Sequence, residues 1–131
     1  MTAKTNKSVA RSYFERVINQ GDMLATDEIF SHDIQFHYPL GDLRGEEAVQ
    51  DYLGAVRTAF PDIQFTVADL FCDDNRAAAR WSLVGTQTGE FRGNPPTNKK
   101  VSVPGITIFG YQDGRIDEMW VVFDPTRLIG D

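Results

Sequence analysis

The sequence predicts an α+β fold in which helices cover one face of a curved antiparallel sheet. Three observations predict it. Helical periodicity is confined to the first half of the chain, and strand-like alternation fills the second half from Pro61 onward. The last strands are apolar on both faces, so helices must cover one face and a cavity or a partner subunit must account for the other.

The helices come first. Val9, Tyr13, Val17 and Ile18 fall on one stripe with Phe14 beside them, and Asn19 to Gly21 supplies the stop. A short helix is expected through Leu24 to Phe30. "IQFHYP", residues 34–39, alternates like a strand until Pro39-Leu40-Gly41 breaks it. Val49, Tyr52, Leu53, Val56 and Phe60 then recur at helical spacing after Gly45, and Pro61 ends the run. "IQFTVADLF" reads as a strand closed by the turn Asp73-Asp74-Asn75. "RAAARWSLVGTQTGEF" reads as one long strand with a bend at Gly85, "RGNPPTNKK" as a loop and "VSVPGITIFGY" as another strand. Asp113-Gly114 is a two-residue hairpin turn by composition. No repeat or linker interrupts the chain, and 131 residues suit one domain, 1–131.

Composition excludes several functions. A net charge of −6 with scattered basic residues argues against nucleic acid. Cys72 is the only cysteine, so no internal disulfide forms, and Asp73-Asp74 beside it disfavours a thiolate. No apolar run reaches the ~18 residues of a membrane span, and the first residues lack a signal-peptide core. A cytoplasmic protein is expected. The spacing of histidines and carboxylates matches no metal site, and neither a phosphate-binding glycine loop nor a nucleophile elbow is present, so no cofactor is expected.

The candidate chemistry lies in "DGRIDEMWVVFD", residues 113–124, where Glu118 interrupts an apolar strand beside Trp120. A carboxylate among large apolar groups is desolvated, which raises its pKa toward the range useful to a general acid or base. A two-residue turn pairs Gln112 with Arg115. Counting outward then sets Glu118 with Phe109, Trp120 with Thr107 and Asp124 with Val103, so Glu118, Trp120, Thr107 and Asp124 share a face. A bulge at the turn reverses this assignment. The bland alternatives are a salt bridge from Glu118 to Arg80 or Arg92, and a plain strand-ending Asp-Pro at Asp124. His37 is the second proton-transfer candidate, although alternation sets it opposite Phe36. The aromatic set, including Phe14, Tyr38, Tyr52, Trp81, Phe91, Phe109 and Trp120, is core or the wall of a cavity suited to a flat hydrophobic ring.

"FERVINQGDMLATDEIFSHDIQFHYP", "GEEAVQDYLGAVRTAFPDIQFTVADLF", "RAAARWSLVGTQTGEFRGNPPTNKKVSV" and "GRIDEMWVVFD" together resemble the SnoaL-like polyketide cyclases, also called the ester cyclase family, from about residue 7 to 125. The resemblance implies the cone-shaped α+β barrel of nuclear transport factor two and ketosteroid isomerase, a deep pocket and a homodimer. It implies intramolecular aldol closure of a hydrophobic carbonyl ester by one acidic pocket residue, without metal or cofactor. That residue maps onto Glu118, with His37 and Asp124 at further matching positions. Gln87 stands where the family often has histidine, and Tyr38 where aspartate is common, which alters the expected substrate. Gln87, Thr107 and His37 are the expected hydrogen-bond donors to a developing enolate. The ketosteroid isomerase pattern falls on Tyr38, Phe14 and Thr107, lacks its base and strongest donors, and is not expected. The alternatives are isomerisation, dehydration or epoxide hydrolysis in the same pocket, or a non-catalytic binding or dimerisation module.

Overall fold

A computed structural model describes residues 3–129. Helix α1 (Ala3–Ser12) runs on into a π-helical segment, Tyr13–Asn19, which buries Tyr13, Phe14, Val17 and Ile18 along the predicted stripe. Gly21, at φ +72°, ends the helix in a conformation that only glycine adopts freely. A 3₁₀ turn (Met23–Ala25) leads into α2 (Thr26–Ile29), and the chain enters β1 (Phe30–Tyr38) directly. This strand begins four residues before the predicted one, because Phe30 and Ile34 both reach the core. Pro39-Leu40 turns the chain into β2 (Gly41–Arg44), which sequence patterning did not reveal: its four residues are largely exposed. Helix α3 (Glu46–Ala59) buries Val49, Leu53, Val56 and Ala59.

Four long strands follow: β3 (Gln64–Cys72), β4 (Arg76–Thr86), β5 (Lys100–Gln112) and β6 (Arg115–Phe123), then a short C-terminal α4 (Thr126–Ile129). The six strands form one curved, unclosed sheet in the order β2-β1-β6-β5-β4-β3. All neighbours are antiparallel except β1 and β6, which run parallel, so the sheet is mixed rather than purely antiparallel. The helices pack on its inner face.

The predicted strand from Arg76 to Phe91 ends early. Beyond Thr86 the chain leaves the ladder, and Thr88 and Gly89 donate their N–H groups to the Ala59 carbonyl at 3.0 and 3.1 Å. These bonds satisfy an otherwise open carbonyl at the end of α3. A side chain at Gly89 would meet the Thr58 carbonyl oxygen at 2.7 Å, so only glycine fits there. Gln87 is buried and pins the loop: its amide donates to the Gly89 and Pro95 carbonyls at 3.1 Å each, and its oxygen accepts from Thr97 at 3.3 Å.

The β5–β6 hairpin decides which side chains meet. Asp113 and Gly114 both adopt positive φ, 53° and 79°, the geometry of the two-residue turn expected from Asp-Gly. Gln112 pairs with Arg115 and Tyr111 with Ile116, but Gly110 then pairs with Glu118. Asp117 is the extra residue of a β-bulge, and its carboxylate accepts a hydrogen bond from Ser31 at 2.8 Å. One inserted residue shifts the parity of every side chain beyond it.

Candidate functional site

The bulge turns Met119, Val121 and Phe123 toward the helices and sends Glu118, Trp120 and Val122 to the outer face. The cross-strand pairs are Phe109 with Met119, Thr107 with Val121 and Ile108 with Trp120. Glu118 and Trp120 therefore do not share a face with Thr107. This corrects the expectation drawn from simple counting.

Between helices and sheet lies a cavity of about 50 Å³. Tyr13, Phe14 and Ile18 border it from the first helix, and Tyr52, Leu53, Val56 and Arg57 from α3. Trp81, Thr107, Val121 and Phe123 border it from the sheet, and Leu128 from α4. Of the expected ligand-binding residues, Phe14, Tyr52, Trp81 and Thr107 line this cavity. The Trp81 indole N–H donates to the Thr107 hydroxyl at 2.8 Å, and its ring lies against Gly105, where a Cβ would collide with it. Arg57 donates to the carbonyls of Ile18 and Asn19, at the end of the first helix, where a cation is favoured.

The other expected binding residues lie elsewhere. Phe109 is fully buried core against Tyr13 and Phe14, Phe91 packs on Phe60, and the Gln87 amide is consumed by its own loop. Tyr38 stacks on Tyr52, with ring centroids 4.6 Å apart, and accepts a hydrogen bond from Arg92 at 3.2 Å. Asp124 is exposed and accepts from the Thr126 N–H and hydroxyl, which caps α4 and holds its carboxyl below the usual range. Both bonds go to one oxygen, Oδ1, at the start of the helix.

Glu118 and His37, the two expected proton carriers, do meet, but on the outer face. His37 Nε2 lies 2.7 Å from Glu118 Oε2, and its Nδ1 lies 3.1 Å from Asp42 Oδ1. The hydrogen bond to Glu118 is the main cause that raises the His37 pKa, with Asp42 adding to it. Trp120 stacks on the imidazole at 5.9 Å, and Arg76 sits over the Trp120 ring at 4.9 Å. An imidazole with a carboxylate on each nitrogen favours its charged form, and the alternation that sets His37 opposite the buried Phe36 is observed.

Sequence reasoning singled out Tyr13 as a helix-stripe residue and not as a site residue. The signal was a phenol on a stripe otherwise made of hydrocarbon. Tyr13 is buried, and desolvation, with Tyr52 nearby, holds its pKa far above the usual phenol value; burial raises Tyr52 as well. Both phenols stay protonated at neutral pH. Among the described residues, no group of three His, Cys, Asp or Glu side chains is placed to hold a metal ion, and no helix is long and apolar enough to cross a membrane.

Fold and cavity together define a small α+β domain with an aromatic-walled pocket between helices and a curved sheet. The sequence profile of the SnoaL-like polyketide cyclases matches residues 8–129, and the chain belongs to that family, with its nuclear transport factor 2-like fold. The structure is similar to that of a candidate SnoaL-like polyketide cyclase from Jannaschia sp. CCS1, with a TM-score of 0.90 and 21% identity over 98% of this chain and 94% of that one. It is similar to TsrD from Streptomyces laurentii, with a TM-score of 0.86 and 23% identity over 98% and 94% of the two chains. It is also similar to IdmH, a candidate polyketide cyclase from Streptomyces antibioticus, with a TM-score of 0.80 and 27% identity over 93% and 94%. No curated protein matches the chain.

Proposed function

We propose that this chain is a cyclase-type domain that encloses a hydrophobic carbonyl compound in the inner cavity and holds it folded for intramolecular carbon–carbon closure. The observation that carries this reading is the cavity itself, walled by Phe14, Tyr52, Trp81 and Phe123 and bordered by few polar groups. Ligand pockets are commonly roughly 300–1,000 Å³. At about 50 Å³ this cavity has to widen as a ligand enters, and the ligand then replaces void with contact. The contribution of such a site is shape, exclusion of water and a near-attack conformation of the bound chain. No carboxylate or imidazole among its lining residues takes a proton there, which favours a ligand whose C–H is already acidic.

A second reading rests on the 2.7 Å contact between His37 and Glu118, which makes them a ready proton-transfer couple. In that case the substrate binds on the outer face beside Trp120. Calorimetric titration with acetophenone, a minimal aromatic ketone, separates the two. The cavity reading predicts saturable binding with a negative heat-capacity change, abolished by Val56→Trp and retained by Glu118→Gln. Binding lost in Glu118→Gln and retained in Val56→Trp refutes it.

The same proposal includes a homodimer. The outer face exposes Phe71, Ile106, Ile108 and Val122 at 39–70% of their surface, with Ile106 paired to Val122 and with Phe71 and Ile108 flanking Ala78, and apolar side chains gathered on one face favour a partner. Sedimentation of Ile108→Lys should show a monomer where the wild type is a dimer.

A further inference from the structure

We propose that Tyr13 and Tyr52 are paired hydrogen-bond donors to one acceptor oxygen, a ketone, ester or enol oxygen, of the ligand held in the cavity. This rests on the cavity being the binding site. Tyr13 comes from the π-helical segment and Tyr52 from α3, so two elements bring phenols to one void. Tyr13 is 4% exposed, and both tyrosines line the cavity.

The surroundings make those hydroxyls hard to explain by packing alone. The Tyr13 ring is set among Phe14, Phe30 and Phe109, with centroids 5.1, 5.8 and 5.8 Å away. Phenylalanine would satisfy the same ring contacts without setting a polar group beside an apolar cavity. An oxygen-bearing ligand gives the hydroxyls an acceptor on binding. Other polar groups of the cavity already have partners within the protein. Trp81 donates to Thr107, and one nitrogen of the Arg57 guanidinium donates to two carbonyls of the first helix.

The donors also set the ligand class. Burial holds both phenols neutral, and a neutral donor in an apolar cavity pairs with an uncharged carbonyl at far lower desolvation cost than with a carboxylate. A conjugated ketone or ester fits. Its oxygen gains charge as an enolate develops, and such donors bind it more strongly at that stage.

The test uses two probes of matched shape, acetophenone and α-methylstyrene, which differ by C=O against C=CH2. Their dissociation constants are measured by NMR titration of the full-length protein, its Tyr13→Phe and Tyr52→Phe variants and the double variant. Circular dichroism confirms that each is folded. One neutral hydrogen bond contributes about 0.5–1.5 kcal/mol, roughly 2- to 12-fold in affinity. Each single variant should weaken acetophenone by such a factor and leave α-methylstyrene unchanged. The infrared carbonyl stretch of bound acetophenone should rise toward its value in hydrocarbon in the double variant. Equal acetophenone affinity in all four proteins, with α-methylstyrene also bound, overturns the donor assignment and leaves the cavity reading standing. Failure of both probes to bind overturns the cavity reading, and the donor assignment with it.

Discussion

Gly105 tests the packing that shapes the cavity. It lies on β5 opposite Trp81, and a Cβ there would fall far inside van der Waals contact with the Trp81 ring carbons Cη2 and Cζ2. The indole cannot slide sideways freely, because Phe65 and Phe123 flank it at centroid distances of 4.7 and 6.3 Å. It can only tilt into the neighbouring cavity, which breaks the 2.8 Å bond to Thr107. Overpacking of this kind costs about 1–3 kcal/mol. The lost bond adds up to about 1 kcal/mol, since the indole N–H can turn toward water in the cavity. Gly105→Ala should therefore lower the midpoint of thermal unfolding by about 4–16 °C, at roughly 4 °C per kcal/mol for a domain of this size. Near-ultraviolet circular dichroism should show a reoriented tryptophan, and acetophenone binding should fall as the ring fills the void. Gly110→Ala is the control: it sits on the same strand, but its nearest neighbours are 3.7 and 3.8 Å away. It should stay within about 1 kcal/mol of wild type. Equal stability of the two variants, with an unchanged tryptophan spectrum, would refute the argument.

Further outcomes follow from other contacts. Gln87→Ala leaves the Gly89 and Pro95 carbonyls without their side-chain donor. Urea unfolding should show a loss of about 1–3 kcal/mol, with faster proteolysis between Phe91 and Lys99 and unchanged ligand binding. Glu118→Gln should lower the His37 pKa, read by nitrogen NMR, because Glu118 is the largest cause of its elevation. A pKa raised in the folded state gives stability that is full below the unfolded value of about 6.5 and is lost as pH rises through the folded value. The stability gap between wild type and Glu118→Gln, about 1 kcal/mol or less for so exposed a pair, should thus narrow as the pH rises from below the unfolded value through the raised folded one.

Much of the scaffold was legible because its signals are local. The stripe Val49-Leu53-Val56 marks α3, and Asp113-Gly114 marks the hairpin turn through one of the few residue pairs that favour two successive positive φ angles. The bulge at Asp117 was not legible. It depends on a pairing between strands and on the Ser31 hydroxyl arriving from β1, 86 residues away in sequence. One misplaced residue was enough to exchange the faces of Glu118 and Val121, so Glu118 was read onto the inner face and lies on the outer one. Gln87 was misjudged for a related reason. A buried amide looks the same in sequence whether it faces a ligand or the carbonyls of its own loop. Tyr13 shows the converse, since its place on the helix stripe was plain and its position against a cavity needed the three-dimensional fold to be seen.

The two tryptophans lie on opposite faces of the sheet, Trp81 against the cavity and Trp120 beside His37. Fluorine NMR of the protein labelled with 5-fluorotryptophan therefore reports both candidate sites in one titration. With acetophenone, the Trp81 resonance should shift saturably while that of Trp120 stays fixed. A saturable shift of Trp120 alone would place the ligand on the outer face and contradict the cavity as the working site.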